Sequence, residues 1–359
     1  MRSERCLREF IMKYFAVLLS NKFTPLFRRA ALFVASAFAV ALQGCTPVYK
    51  TTGDILVSYG RAEMTPYLLT YDDLDMACAT GEAMTPFLVS FEAVNSNPTR
   101  LAVLTNSMAA VCAQDRALEQ ELRYMRAIQL GQSSEARDAR TMQKRYSAIA
   151  SARLYESYER SISAYGEATE KRCPRLRSDF DEMVFMVGQL NGVQALLYDA
   201  AADNSLGLPR NIAAKAAVAA NCLDNKKWWG VPGGIQASVW TILPMLAPEG
   251  TDSWKLLQNA AQTGYDSGVR LSSALYAVSA YSSDNKEELR RAIRDFAANS
   301  EELNKDYAML DAITAFMIQG ISDRMWTEAT GERTPFGELG SFWDDVDSSE
   351  SSINIDDLL

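Results

Sequence analysis

Apolar residues recur along this chain at spacings of three and four, and runs that alternate apolar with polar are scarce. That period belongs to helices with one buried face, so the pattern predicts an all-α protein laid out as antiparallel helix pairs. Its elements can be placed in order. A first helix is predicted over Asp54 to Leu69 and a second over Leu74 to Phe91, kinked near Thr85-Pro86. A helix from Arg100 continues through the charged segment QDRALEQELRYMRAIQLG. From Ser134 to Tyr165 no Pro or Gly interrupts the chain, which predicts a long helix. Its stripe Tyr155, Tyr158, Ile162 and Tyr165 has the spacing of a packing face. Four further helices are predicted over Trp254 to Gly264, Gly268 to Tyr281, Lys286 to Ala298 and Tyr307 to Trp326.

Between these halves stands the stretch Met183 to Trp240, where polar residues interrupt otherwise apolar helix faces. Gly188 and Gly192 lie four apart, so one face of this helix lacks side chains and lets a neighbour come close. Gln189, Asn191, Gln194 and Asp199 fall on the same helix, and a buried amide or carboxylate needs a partner, whether protein, water or something bound. Trp228-Trp229-Gly230 follows in a loop, and Trp240 lies on the next helix. These indoles suit a ligand pocket or partner groove, and they equally suit a core. Gln189, Asn191, Gln194, Asp199, Trp228, Trp229 and Trp240 are therefore the candidate ligand- or partner-binding residues.

Composition narrows the function. The 359 residues hold no histidine, which removes the commonest general base and zinc ligand together with Ser-His and Cys-His nucleophile arrangements. Glu82, Asp181 and Glu182 are available to a carboxylate enzyme, but nothing in the sequence sets two of them across a cleft. No catalytic residue, metal site or cofactor is expected, and the chain is read as a non-enzyme. Without the 7 Lys/Arg and 2 Asp/Glu of residues 1 to 44, 29 basic and 43 acidic groups remain, a net charge of −14. Such a surface repels phosphate backbones, so nucleic acid is not expected as a partner.

The N-terminal segment supplies an address. Arg28-Arg29 precedes thirteen mostly apolar residues, Ala30 to Leu42, too few to span a bilayer comfortably, and then Gln43-Gly44-Cys45. Leu42-Gln43-Gly44-Cys45 resembles the bacterial lipobox, which implies a lipoprotein signal peptide over 1–44 and lipidation at Cys45; an ordinary signal peptide with a nearby cysteine is the alternative. Thr46 rather than Asp after that cysteine favours the periplasmic face of the outer membrane over the inner membrane.

An exported chain meets oxidising conditions, and Cys78, Cys112, Cys173 and Cys222 form an even set. A hairpin turning at Asn95 to Pro98 would place Cys78 level with Cys112, leaving Cys173 for Cys222; buried free thiols are the alternative. The organisation expected is a signal peptide over 1–44, a linker over 45–52, one helical domain over 53–330 and an acidic tail over 331–359. DDVDSSESSINIDDLL carries six acidic and no basic residues, which suits a solvated tail or a docking peptide.

Gly188 with Gly192, Asp199, Leu208-Pro209, Cys222-Leu223-Asp224, Trp228-Trp229-Gly230 and Gln236 to Trp240 together resemble the T-component lipoproteins associated with TRAP transporters. The likeness covers about residues 180 to 300. It implies a tetratricopeptide-like α-solenoid of helix pairs, a compact helical array being the other layout the pattern allows. It also implies an accessory role in solute uptake, assembly as a homo-oligomeric ring, docking to a periplasmic solute-binding protein, and a channel for an apolar ligand. The four cysteines and the acidic tail depart from that pattern. A structural or adaptor outer-membrane lipoprotein without a ligand is the alternative function.

Overall fold

The computed structural model describes residues 45–345, and every regular element among them is helical; the β-type pairings are isolated bridges, Thr169 with Arg172 and Leu339 with Ser341. The all-α expectation therefore holds. The expected signal peptide over 1–44, the side chain of Cys45 and the tail beyond residue 345 lie outside the described residues. Among the described residues no helix is long and apolar enough to cross a membrane.

Contacts divide the chain into two compact units, where one domain over 53–330 was expected. Among the described residues the smaller comprises 45–56 together with Phe91–Asn97. Its helix α1, Cys45–Tyr59, runs on beyond the unit and occupies the positions expected as a linker. Pro47 is tolerated there because the first helical turn has no use for its missing N–H, and Lys50 pairs with Asp54 one turn on at 2.6 Å. Gly53 sits where a Cβ would stand 2.8 Å from the Phe91 ring, and the Ser96 hydroxyl donates to Asp54 at 2.8 Å.

The larger unit holds the rest. A π-helical turn, Gly60–Met64, leads to α2 (Thr65–Leu69), and α3 (Leu74–Ser90) follows with Pro86 inside it. Then come the long helices α4 (Thr99–Gln129) and α5 (Ser133–Tyr165), and α6 (Asp179–Ala201). Each packs on its predecessor. Close approach is built in by small residues: a Cβ on Gly81 would lie 2.4 Å from the Ala109 backbone nitrogen, and one on Gly188 would lie 2.3 Å from Ser161 Cβ. Short serine side chains fill those seams, Ser157 donating to the Val103 carbonyl and Ser151 to that of Ala195, both at 2.8 Å.

The second half consists of α7 (Ile212–Ala220), α8 (Val231–Ile242), α9 (Ser253–Ser267), α10 (Leu271–Ser282), α11 (Lys286–Ala298) and α12 (Ala308–Thr330). Asp252 and Asn285 cap α9 and α11 by accepting from the amides of Lys255 and Glu288. Its core centres on Tyr276, Leu257, Ile293 and Ile318, all buried. Arg270, 5 % exposed, ties this half together: it grips Asp311 with two hydrogen bonds of 2.7 and 2.8 Å and donates to the carbonyls of Phe296 and Asn299.

α12 then turns back onto α4. Gln129 donates to the carbonyls of Thr327 and Glu328 at 2.8 Å, Arg324 meets Glu121 at 2.9 Å, and Gly320 makes room for Leu118. In a solenoid each repeat touches only its neighbours. This contact between elements some 200 residues apart makes the large unit a closed helical array.

The segment read as tail from residue 331 is folded as far as Asp345. Thr334 donates to Ser322, Phe342 is buried at 3 % exposure, and the guanidiniums of Arg290 and Arg294 lie over its ring. The same arginines pair with Asp344 and Asp345. The acidic run looks solvated in sequence, but its first two residues, Asp344 and Asp345, meet the basic face of α11 with Phe342 as an aromatic anchor beside them.

Cys78 is bonded to Cys112 and Cys173 to Cys222, with Cα separations of 5.3 and 5.4 Å. This is the pairing expected from the hairpin, and it fits an oxidising, extracytoplasmic compartment.

Candidate functional site

Where α12 returns to α4, the helices of the large unit leave a cavity of about 260 Å³. α4 contributes Gln114, Leu118 and Glu121, and α5 contributes Gln143 and Ser147. α6 adds Gln194, Leu197, Tyr198 and Ala201, spaced so that all four lie on one helix face. Val278 and Tyr281 come from α10, and Phe316, Met317, Gly320, Ile321 and Arg324 from α12.

The polar groups of this wall are of two kinds. Arg324 is engaged by Glu121 and lies 5.8 Å from the centre of the Tyr281 ring. Burial works to lower its pKa, but Glu121 and the neighbouring tyrosines outweigh that, so the guanidinium stays charged above its ordinary range. Burial pushes the Tyr198 phenol up to about 12 and raises Tyr281 as well, so both are neutral hydroxyls at neutral pH. The second kind is uncharged. Gln114 Nε2 donates to Gln194 Oε1 at 3.0 Å, and Gln143, 3 % exposed, accepts from Arg140. Ser147 is 1 % exposed.

A smaller cavity of about 80 Å³ lies between α2, α4, α6 and α12. Met64, Met108, Met183 and Met309 line it with Leu104 and Leu310, and its walls are almost wholly apolar. Methionine side chains adapt their shape readily, which suits an expandable apolar slot.

Of the seven residues singled out in the sequence, only Gln194 reaches the larger cavity. Asn191 is spent on its neighbours, donating to Ser157 at 2.8 Å and accepting from Ser107 at 3.3 Å. Asp199 accepts from the amides of Leu206 and Leu208, closing the turn after α6. Gln189 is 1 % exposed in the core, and its Nε2 has no hydrogen-bond partner.

The tryptophans do not form an open contact surface. Trp228 and Trp229 are 4 % and 7 % exposed, pack edge-on to one another, and belong to the core of α6 to α8. Trp228 donates to Glu182 at 2.7 Å, and Trp229 packs on Tyr307 with ring centres 4.6 Å apart. Trp240 is half-buried on α8 and lines neither cavity. The carboxylates weighed for catalysis also have structural partners: Glu82 pairs with Arg116 and Arg153, Asp181 with Arg100, and Glu182 with Lys227.

Sequence reasoning missed Gln114, Gln143, Glu121, Tyr198, Tyr281 and Arg324. A signal existed for two of them. Arg324 is the one basic residue of its helix, and Gln114 ends the apolar run Ala109 to Ala113. No family model matches this chain, and neither a curated protein nor a solved structure matches it.

Proposed function

We propose that this chain is a periplasmic, lipid-anchored helical interaction protein that holds a small, mainly apolar ligand in the α4/α5/α6/α10/α12 cavity. On this reading it is an accessory component of a TRAP-type uptake system, tethered through Cys45 to the periplasmic face of the outer membrane, and it docks a solute-binding protein. The observation that carries the ligand role is the cavity itself: a closed array of helices has left about 260 Å³ unfilled, walled by Leu118, Phe316, Met317 and Ile321. Two disulfides support the exported address, and the lipobox-like Leu42-Gln43-Gly44-Cys45 supports the tether. The transporter link rests on the sequence resemblance alone.

The test has two arms. Cys45→Ser should move the protein from the membrane to the soluble fraction, and retention on membranes would refute the lipid anchor. Affinity capture of the wild-type protein from detergent-solubilised envelopes should recover a solute-binding protein; repeated capture without one would remove the transporter role.

A ligand-free adaptor is the second reading. It is favoured by the burial of Trp228 and Trp229 in the core, which leaves neither indole on an open contact surface.

A further inference from the structure

We infer that the larger cavity selects a small neutral molecule with an apolar body and an amide-like head, an inference that rests on the ligand-binding reading above. Size sets the first limit. A dry cavity of about 150 Å³ accommodates benzene, so about 260 Å³ has room for roughly ten non-hydrogen atoms.

Hydrogen-bond inventory sets the second. Gln114 gives one N–H to Gln194 Oε1, which leaves Gln114 Oε1 as an acceptor and Gln194 Nε2 as a donor with no protein partner among the described residues. Gln143 accepts from Arg140 through Oε1, so its Nε2 is likewise uncommitted. A ligand carrying both a donor and an acceptor satisfies both kinds of group at once. A hydrocarbon leaves them unpaired, and a carboxylate offers only acceptors.

Charge sets the third. The one cation of the wall, Arg324, is balanced by Glu121, so the cavity carries no net charge to compensate an ion removed from water. An anion approaching Arg324 also approaches Glu121. A neutral head that can both give and receive hydrogen bonds meets neither penalty.

Three probes of nearly one size separate these terms: benzamide, benzoate and ethylbenzene. Binding to the purified protein is read from the methyl resonances of Met317 and Ile321, which line the cavity. Benzamide should shift both and bind at least roughly fivefold more tightly than the other two, the factor expected for one net hydrogen bond. Gln194→Leu should remove that preference while leaving ethylbenzene binding intact or improved, with far-UV circular dichroism confirming the fold. Gln143→Met serves as a second variant should Gln194→Leu not fold, and it should weaken benzamide selectively. Equal binding of ethylbenzene and benzamide would overturn the amide selectivity and leave the ligand cavity standing. Preference for benzoate would overturn it in favour of anion recognition at Arg324. No shift with any probe would refute both the selectivity and the ligand-binding reading.

Discussion

Gly188 tests how tightly the α5/α6 seam is made. Gly188→Ala adds one methyl group, and two effects of opposite sign follow. Alanine in place of a mid-helix glycine stabilises a helix by about 0.8–1.0 kcal/mol. Against that, the new Cβ would stand 2.3 Å from Ser161 Cβ and 2.4 Å from its Oγ, while carbon atoms pack at roughly 3.5–4.0 Å. The two helices must separate by on the order of 1 Å. They are held by Ser151 to the Ala195 carbonyl and by Asn191 to Ser157 across the same interface, so they cannot part freely. Overpacking a core costs about 1–3 kcal/mol, so with the 2.3 Å contact at the upper end of that range packing outweighs propensity and the variant should lose up to about 2 kcal/mol. Urea unfolding followed by circular dichroism at 222 nm measures this as a lower midpoint with unchanged slope. Ser161 supplies a partner test, because its buried Oγ has no hydrogen bond to lose. Ser161→Gly removes both clashing atoms, so in the double variant the methyl group should fit. The two changes should then be coupled favourably by about 1 kcal/mol or more. A Gly188→Ala protein more stable than wild type, or strictly additive effects in the double variant, would refute the close-packed seam.

Two further outcomes are expected. Burial raises the Tyr158 and Tyr198 phenols to about 12, against about 10 in an unfolded chain. Because the neutral form is favoured in the fold, their contribution is complete below pH 10 and is lost as pH rises from 10 through 12. Stability measured by urea titration should fall across that window, with late phenolate absorbance at 295 nm; a single titration at the ordinary tyrosine pKa in the folded protein would contradict it. The disulfides close loops of 34 and 49 residues, so Cys78→Ser with Cys112→Ser, and Cys173→Ser with Cys222→Ser, should each cost roughly 4 kcal/mol by chain entropy, the second pair slightly more. Chemical denaturation of the two double variants checks both size and order.

What the sequence made legible is whatever a single helix or a helix with its next neighbour decides. The period of three and four predicted the helices, and similar distances from the Asn95 to Pro98 turn predicted Cys78 opposite Cys112. Gly188 and Gly192 announced a close crossing because a missing side chain has the same meaning whichever helix fills the space; here Ser161 and Tyr158 fill it. The cavity needed more than that. Its ion pair joins residues 203 positions apart, and only the return of α12 to α4 brings them together. The same limit explains the fate of the polar residues on α6. Burial of Gln189, Asn191 and Asp199 and half-burial of Gln194 follow from their apolar surroundings, but their partners could not be read there. Asn191 faces Ser157 on the neighbouring helix, Asp199 turns to its own following loop, and Gln194 opens with Tyr198 and Ala201 toward a helix that arrives 120 residues later. A polar residue on an apolar helix face therefore marks an obligation to be met. Whether protein or ligand meets it depends on the helix that closes over it.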